Sequence, residues 1–466
     1  MKITFLGANR QVTGSRHLLT VDGSRFLIDC GMFQEREFLG RNWASSPAPP
    51  GDLDGLLLTH AHLDHTGLLP RLVAEGFEGP IFTTAASRDL AEIILNDSAH
   101  IQEEDAAFKR KRHKRERRKG PFPVEPLYTR DDVQKTLSLF RTVQYGEPQV
   151  LNKHVSVTYR DAGHILGSAM LEVAVRRNGG TQTIVFSGDI GQRDRPLIGD
   201  PSVPRQADYV VMESTYGGRD HAEGGSVEEQ LRDLINETVA AGGNLVIPTF
   251  AVERAQELMY FIGRLRRERR IPNVMVFLDS PMAVDTTEVF RRHRECMDEE
   301  TREMLESGEP PLRFPGLKLC RTVGESKAIN RIKGSCIILA TSGMCTAGRI
   351  KHHLAANIGR RTCTLAFVGY QARGTLGRDI VNGRKSVRIH HKQYRVKARV
   401  AQIHGLSAHA DHAGLLDWIG HLAAPPRRVF LTHGEVDAAS QLAEAIRSRW
   451  GCEVVIPEFQ DEHELD

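Results

Sequence analysis

Apolar positions along this chain fall into two styles. Over residues 1–60 they come in short, strand-length runs at 2–6, 17–21 and 25–29, split by Gly14 and the Asp22-Gly23 turn. Gly55-Leu56-Leu57-Leu58-Thr59 reads as a buried strand that runs straight into a histidine cluster. A helix is expected near 67–75 and a longer one over 87–118, with Ser87 as its N-cap. Strand-like runs return at 155–160, 170–175 and 183–188.

From about 208 the style changes. Strand-like runs at 209–212, 244–250, 274–278, 335–341 and 363–368 alternate with helical stretches. The clearest helix is 253–268, where Leu258, Met259, Phe261, Ile262 and Leu265 form one broad apolar stripe. Such alternation predicts a parallel sheet covered on both faces. After 396 short strands resume, followed by an amphipathic helix near 412–422, a strand at 428–432 and a helix near 437–449. The pattern predicts an α/β fold in which one domain, 1–207 and 396–466, is interrupted by a second over 208–395.

Composition adds mainly exclusions. With 466 residues, 40% hydrophobic and 26% charged, the chain is an ordinary globular one, not disordered, collagenous or coiled-coil. No apolar run approaches the roughly 18 residues of a membrane span, and the apolar stretch at Met1–Gly7 is too short for a signal peptide. A cytoplasmic location with no membrane partner is expected. Seven scattered cysteines without a CxxC pair read as reduced thiols. The net charge of +3 conceals a basic run at 109–119, nine Lys/Arg and one Glu, which leaves the rest of the chain mildly acidic.

The strongest chemical signal is His60-Ala61-His62-Leu63-Asp64-His65. Histidines at i and i+2 of an extended segment project to one side and reach one metal; Asp64 and His65, at the turn into the next helix, reach a second ion. Imidazole and carboxylate without thiolate suit zinc. Three later segments repeat the placement of a polar residue at a strand's carboxyl end, where open α/β sheets put their sites. They are Asp161-Ala162-Gly163-His164, Phe186-Ser187-Gly188-Asp189 and Phe430-Leu431-Thr432-His433.

Together with Asp29 in Leu27-Ile28-Asp29-Cys30-Gly31, these segments resemble the metallo-β-lactamase superfamily. More closely, the chain resembles the β-CASP nucleases, on Glu213 in Glu-Ser-Thr-Tyr-Gly-Gly, His409 in Leu-Ser-Ala-His-Ala-Asp, and His433 in Leu-Thr-His-Gly-Glu. The resemblance also covers 248–257, Ser342-Gly343-Met344 with Gly348-Arg349, and 369–377. It implies a metallo-β-lactamase αββα sandwich carrying an inserted β-CASP domain. It further implies two zinc ions per chain, one on His60, His62 and His164, the other on Asp64, His65 and His433, bridged by Asp189. Asp29 would orient a histidine. His409 would be the general acid, kept protonated by Glu213. Histidine at 433 goes with RNA-processing members of that family and favours RNA as substrate.

In the inserted domain, strand-end residues Thr249, Asp279-Ser280, Thr341-Ser342 and Tyr370 are expected to line a crevice. Backbone N–H groups of Ser342, Gly343 and Met344, with Arg254, Arg349 and Arg373, are the predicted phosphate contacts. The basic run reads as a solvent-facing arm for RNA phosphates. RNA is the expected partner, with a homodimer also compatible. Endonuclease is preferred to 5′→3′ exonuclease, whose usual extra C-terminal domain is not expected here. A small-molecule metallo-hydrolase leaves 208–395 without a role, and a non-catalytic RNA scaffold leaves the filled motif positions without one.

Overall fold

The computed structural model describes residues 1–116, 120, 122–177, 180–221 and 225–466. The end of the basic run, 117–119, lies outside the described residues. The chain forms two compact units, one of 1–194, 200–220 and 408–466, the other of 195–199 and 221–407.

The first unit is built from two seven-stranded sheets. In one, Lys2–Gly7, Arg16–Val21, Ser24–Ile28, Gly55–Leu57, Ile81–Thr84 and Phe140–Val143 lie side by side, with Glu462–Glu464 on the outer edge. The other centres on Ala169–Arg177, Gly180–Phe186, Tyr209–Glu213 and Arg428–Thr432. Side chains from both sheets share one core, in which Ile3, Phe5, Leu19 and Phe26 meet Val157, Tyr159, Leu171 and Phe186. The outer face of the second sheet packs Val210, Met212 and Leu431 against Leu415, Leu442 and Ile446 of the helices His412–Gly420 and Val436–Trp450. Two sheets back to back with helices outside give the expected αββα sandwich.

The second unit holds a six-stranded sheet in the order Leu317–Leu319, Met275–Asp279, Cys336–Ala340, Leu245–Pro248, Thr364–Phe367, Arg399–Gln402. Every pairing in it is parallel. Apolar strands such as Cys336–Ala340 are buried throughout, as a sheet covered on both faces requires. Of the apolar stripe on helix Arg254–Arg267, Leu258, Met259, Ile262 and Leu265 are buried and Phe261 is half-buried.

The two compact units change over at 220/221 and 407/408, near the expected 207/208 and 395/396, with 195–199 also in the second unit. Tyr209–Glu213 runs parallel between Gly180–Phe186 and Arg428–Thr432 of the first unit, whereas Arg399–Gln402 pairs with Thr364–Phe367 of the second. An apolar run carries no local mark of which sheet it will join. The long helix is Ala85–Glu116, and Ser87 does not cap it. Thr84 Oγ1 accepts the Ser87 N–H at 3.2 Å, while the buried Ser87 hydroxyl donates to the Gly167 carbonyl at 2.8 Å. The buried positions of this helix end at Ala106, and every residue from Ala107 to Glu116 is exposed except half-buried His113. Among the described residues, no helix is long and apolar enough to cross a membrane.

Candidate metal centre

Strand order in the first unit brings distant segments to one edge. Ser24–Ile28, Gly55–Leu57 and Ile81–Thr84 run parallel, so Asp29 and the 59–65 segment leave the first sheet on the same side. In the second sheet, Gly180–Phe186, Tyr209–Glu213 and Arg428–Thr432 also run parallel and end in Asp189, Glu213 and His433. The register Glu213↔Thr432 sets the Glu213 strand end beside His433.

Two groups of donors result. His60, His62, His164 and Asp189 form one, and Asp64, His65 and His433 the other. In the first, His62 Nδ1 lies 3.1 Å from both His60 Nε2 and His164 Nε2, and Asp189 Oδ2 lies 3.5 and 3.4 Å from those two nitrogens. In the second, His433 Nε2 is 3.4 Å from Asp64 Oδ2. Asp189 Oδ1 turns to this side, 3.3 Å from His65 Nε2 and 3.5 Å from His433 Nε2. One carboxylate thus faces both groups, one oxygen to each.

The opposite nitrogen of most of these rings is held. His65 Nδ1 meets Asp29 Oδ2 at 2.7 Å, and His60 Nδ1 meets Thr59 Oγ1 at 3.0 Å. His164 Nδ1 faces the Ala408 carbonyl at 3.2 Å, and His433 Nδ1 faces Thr215 Oγ1 at 3.0 Å. Asp29 also accepts the Thr59 N–H and hydroxyl, so one buried carboxylate braces two neighbours of the centre. Sequence reasoning missed Thr59 and Thr215; a hydroxyl residue next to a motif residue, Thr59-His60 and Ser214-Thr215, is the only signal they carry.

These residues fit a pair of cations. His65 Nε2 and Asp189 Oδ1 are buried and make no hydrogen bond among the described residues, though buried polar atoms normally find a partner. Burial and the crowding of other imidazoles hold His60 and His164 well below the ordinary histidine range and His62 at about 4, which favours the neutral, ligating ring. Burial pushes the Asp189 carboxyl up, but His433, His65 and His60 outweigh it and keep it ionised. Nitrogen and carboxylate donors without thiolate are a zinc-type set.

Beside the donors stands a third group, Asp189, Glu213 and His409. His409 is bridged to Gly191 by strand-like pairing, and Ala410 N–H donates to Ile190 O at 2.7 Å, which fixes the loop. His409 Nδ1 lies 3.1 Å from both Glu213 oxygens, while its Nε2 lies 4.0 Å from Asp189 Oδ2. Burial lowers the affinity of the ring for a proton, but the charge and hydrogen bond of Glu213, helped by Asp189, more than offset this and raise its pKa to about 9. Of the other histidines near this motif, His404 lies in the second unit, bonded through its backbone to Gln230, and His412 Nδ1 meets the Gly217 carbonyl at 2.6 Å.

Residues 14–81 match the Metallo-beta-lactamase superfamily, 255–380 the Beta-Casp domain, and 393–457 the Zn-dependent metallo-hydrolase RNA specificity domain. The chain is 38% identical over 459 residues to Ribonuclease TTHA0252 of Thermus thermophilus, covering 98% of this chain and 99% of that one. This chain belongs to the β-CASP nucleases of the metallo-β-lactamase superfamily. It is also 31% identical to Transcription termination factor FttA of Methanosarcina mazei, over 96% of this chain and 69% of that one. A solved structure of a protein of unknown function from Enterococcus faecalis shares the fold, with a TM-score of 0.58 at 13% identity, covering 100% of this chain and 99% of that one.

In the β-CASP unit, two of the arginines expected to meet phosphate also have carboxylate partners. Arg254, largely buried, lies 3.3 Å from the buried Glu257 carboxylate, which also takes the Arg195 guanidinium. Arg349 donates to Asp279 Oδ1 at 2.7 Å and to the carbonyls of Cys320 and Arg321 at 3.2 and 2.6 Å. Asp279 in turn takes His353 and Ser326, neither marked by sequence pattern. Both arginines are engaged inside the unit, because a buried carboxylate needs a cation more than an open crevice does. The Ser342 N–H donates to the Ala347 carbonyl at 3.3 Å, so it too is engaged. Gly343, Met344 and Arg373 remain, Arg373 exposed and without an ion pair among the described residues.

Proposed function

We propose that this β-CASP protein is a zinc-dependent ribonuclease that cuts within RNA chains and leaves 5′-phosphate and 3′-hydroxyl ends. The observation that carries this reading is the adjacency of two donor groups, joined by Asp189, to a separate carboxylate–histidine pair, Glu213 and His409. RNA as substrate is supported by the ribonuclease relative, which matches nearly end to end, and by the RNA specificity region.

One zinc would be held by His60, His62 and His164 and the other by Asp64, His65 and His433, with Asp189 between. Cations there would lower the pKa of a water molecule and neutralise phosphodiester oxygens. Asp29, Thr59 and Thr215 keep the ligating rings aimed. His409, protonated on both nitrogens and held at Nδ1 by Glu213, presents Nε2 as the proton donor to the departing 3′-oxygen. A water oxygen forms the new bond to phosphorus opposite O3′ as the P–O3′ bond breaks. O3′ takes the proton from His409 and leaves as a hydroxyl, and the attacking water gives up a proton to solvent. The phosphoryl group, now carrying the water oxygen, stays on the 5′ end of the downstream fragment. General acids of this kind contribute about 10²–10⁴-fold.

Internal cutting is favoured by the state of the arginines. Of the groups that could hold a terminal monophosphate, Arg254 and Arg349 are already paired with Glu257 and Asp279, which leaves Arg373 and the N–H groups of Gly343 and Met344. The test is incubation with a circular RNA, its linear form, a matched DNA and a chromogenic β-lactam. Linearisation of the circle with 5′-phosphate ends is the expected result. A circle left intact while the linear RNA is degraded assigns an exonuclease, and turnover of the lactam alone overturns the RNA reading.

A further inference from the structure

Two large aromatic side chains of the β-CASP unit stand in solvent at one edge of its sheet. Phe250 is 45% exposed and Tyr370 is 56% exposed. Phe250 follows Leu245–Pro248, and Tyr370 follows Thr364–Phe367. These strands are parallel neighbours in the register Leu245↔Thr364, Val246↔Leu365, so both aromatics leave the same carboxyl edge.

Both loops are tied to the 341–349 loop, which follows the neighbouring strand Cys336–Ala340. The Phe250 ring lies against the bare backbone of Gly343, where a Cβ would stand 3.0 Å from two ring carbons. The Gln371 side chain, buried next to Tyr370, donates to the carbonyls of Gly343 at 3.1 Å and Gly369 at 3.2 Å. Gly377 N–H donates to the Met344 carbonyl at 3.1 Å. The aromatics are therefore carried on a braced surface, and Arg373, exposed, follows three residues after Tyr370.

We infer that Phe250 and Tyr370 form a stacking platform for unpaired nucleobases, with Arg373 on the neighbouring phosphate. The inference rests on the ribonuclease reading above and deepens it, because it names single-stranded RNA as the form this unit takes up. A rigid ring open to solvent on a braced loop offers a π face to a base, and every base has one, so affinity comes without sequence preference. A duplex hides those faces. The same edge offers few charged groups for an alternative grip, since Arg254 and Arg349 are engaged internally.

The experiment uses the whole zinc-loaded protein and two oligoribonucleotides of equal length. One carries all its bases; the other is abasic at every position except the two flanking the cut. Stacking on one base is strong enough to change KM by about tenfold, so the wild type should prefer the base-bearing oligomer by at least that factor. Phe250→Leu and Tyr370→Leu should each shrink the preference, and the double variant should bring it to within about threefold of unity. Phe250→Trp should keep it. Arg373→Gln should leave the preference intact and flatten the slope of log affinity against log salt by about 0.7.

A double variant with the wild-type preference overturns the platform while leaving the ribonuclease reading in place. A wild type that cleaves no RNA overturns both. Tyr370→Leu alone keeps the test decisive if Phe250→Leu misfolds, because Tyr370 has no hydrogen-bond partner among the described residues.

Discussion

His409 turns Nδ1 to the two oxygens of Glu213, each 3.1 Å away, and Nε2 toward Asp189 Oδ2, 4.0 Å away. The two carboxylates face opposite nitrogens: Glu213 holds Nδ1, and on the proposed reading Nε2, toward Asp189, is the reacting side. Glu213 is itself fixed, accepting the Ile190 N–H at 2.6 Å.

Glu213→Gln keeps the shape and removes the charge that favours the imidazolium. Cleavage should fall by about 10²-fold, within the range expected for loss of a general acid. Zinc content should stay at the wild-type value, because Glu213 touches His409 rather than a ligating histidine on this edge. Elemental analysis alongside single-turnover rates checks both, and zinc loss equal to the rate loss would place Glu213 in the metal site.

Asp29 makes the opposite case. It is the hydrogen-bond partner of His65 Nδ1 and of Thr59. Asp29→Ala should weaken zinc binding by about 10–100-fold, as loss of an outer partner to a ligating histidine does. Competition against a chromophoric chelator measures it. Rescue of cleavage by excess zinc should be nearly complete, since no reacting group is removed.

The donor set was legible in the sequence to very different degrees. His60, His62, Asp64 and His65 lie within six residues, so local spacing alone exposes them. His164, Asp189 and His433 are separated by up to hundreds of residues and emerge only through strand-end placement and resemblance. Thr59 and Thr215 were not readable, because a hydroxyl that braces a ring looks like any other threonine. Likewise Arg254 and Arg349 sit in motifs that point to phosphate, and only packing reveals Glu257 and Asp279 as their partners. Sheet membership of Tyr209–Glu213 depends on partners at Gly180–Phe186 and Arg428–Thr432, a long-range fact.

Asp279 supplies a pH test in the β-CASP unit. Burial raises its carboxyl, but hydrogen bonds from His353, Ser326 and Arg349 win and hold it below the usual range. A depressed carboxyl contributes stability that is present above the unfolded-state pKa, about 3.9, and is lost as pH falls through the folded-state value. In metal-free protein, Asp279→Asn should therefore lower the unfolding midpoint at neutral pH, and the gap to wild type should close below about pH 4. Breaking such a buried pair costs about 3–5 kcal/mol. A gap that persists unchanged into acid would show that the charge is not what stabilises this cluster.

The exposed end of the long helix carries Lys109, Arg110, Lys111, Arg112, Lys114 and Arg115. Only Arg112 and Arg115 meet an acidic partner there, Glu116, among the described residues. Replacing these six cations with Gln should weaken unrelated RNAs by similar factors. The salt slope should flatten by about 0.7 for each phosphate that is no longer neutralised. Filter binding at several salt concentrations reads this out, and unchanged slopes would leave the helix end as a solvated face.

The central claim, that His409 protonates the 3′-oxygen leaving from a zinc-assisted cut in RNA, is tested most directly by changing the leaving atom. The measurement is the ratio of wild-type to His409→Ala cleavage rates on one RNA with an ordinary scissile linkage and on its twin with 3′-sulfur at that linkage. A thiolate departs without a proton. The ratio should be about 10² or more with oxygen and should approach one with sulfur. Equal ratios on the two substrates would contradict the account and leave His409 as a binding or structural residue.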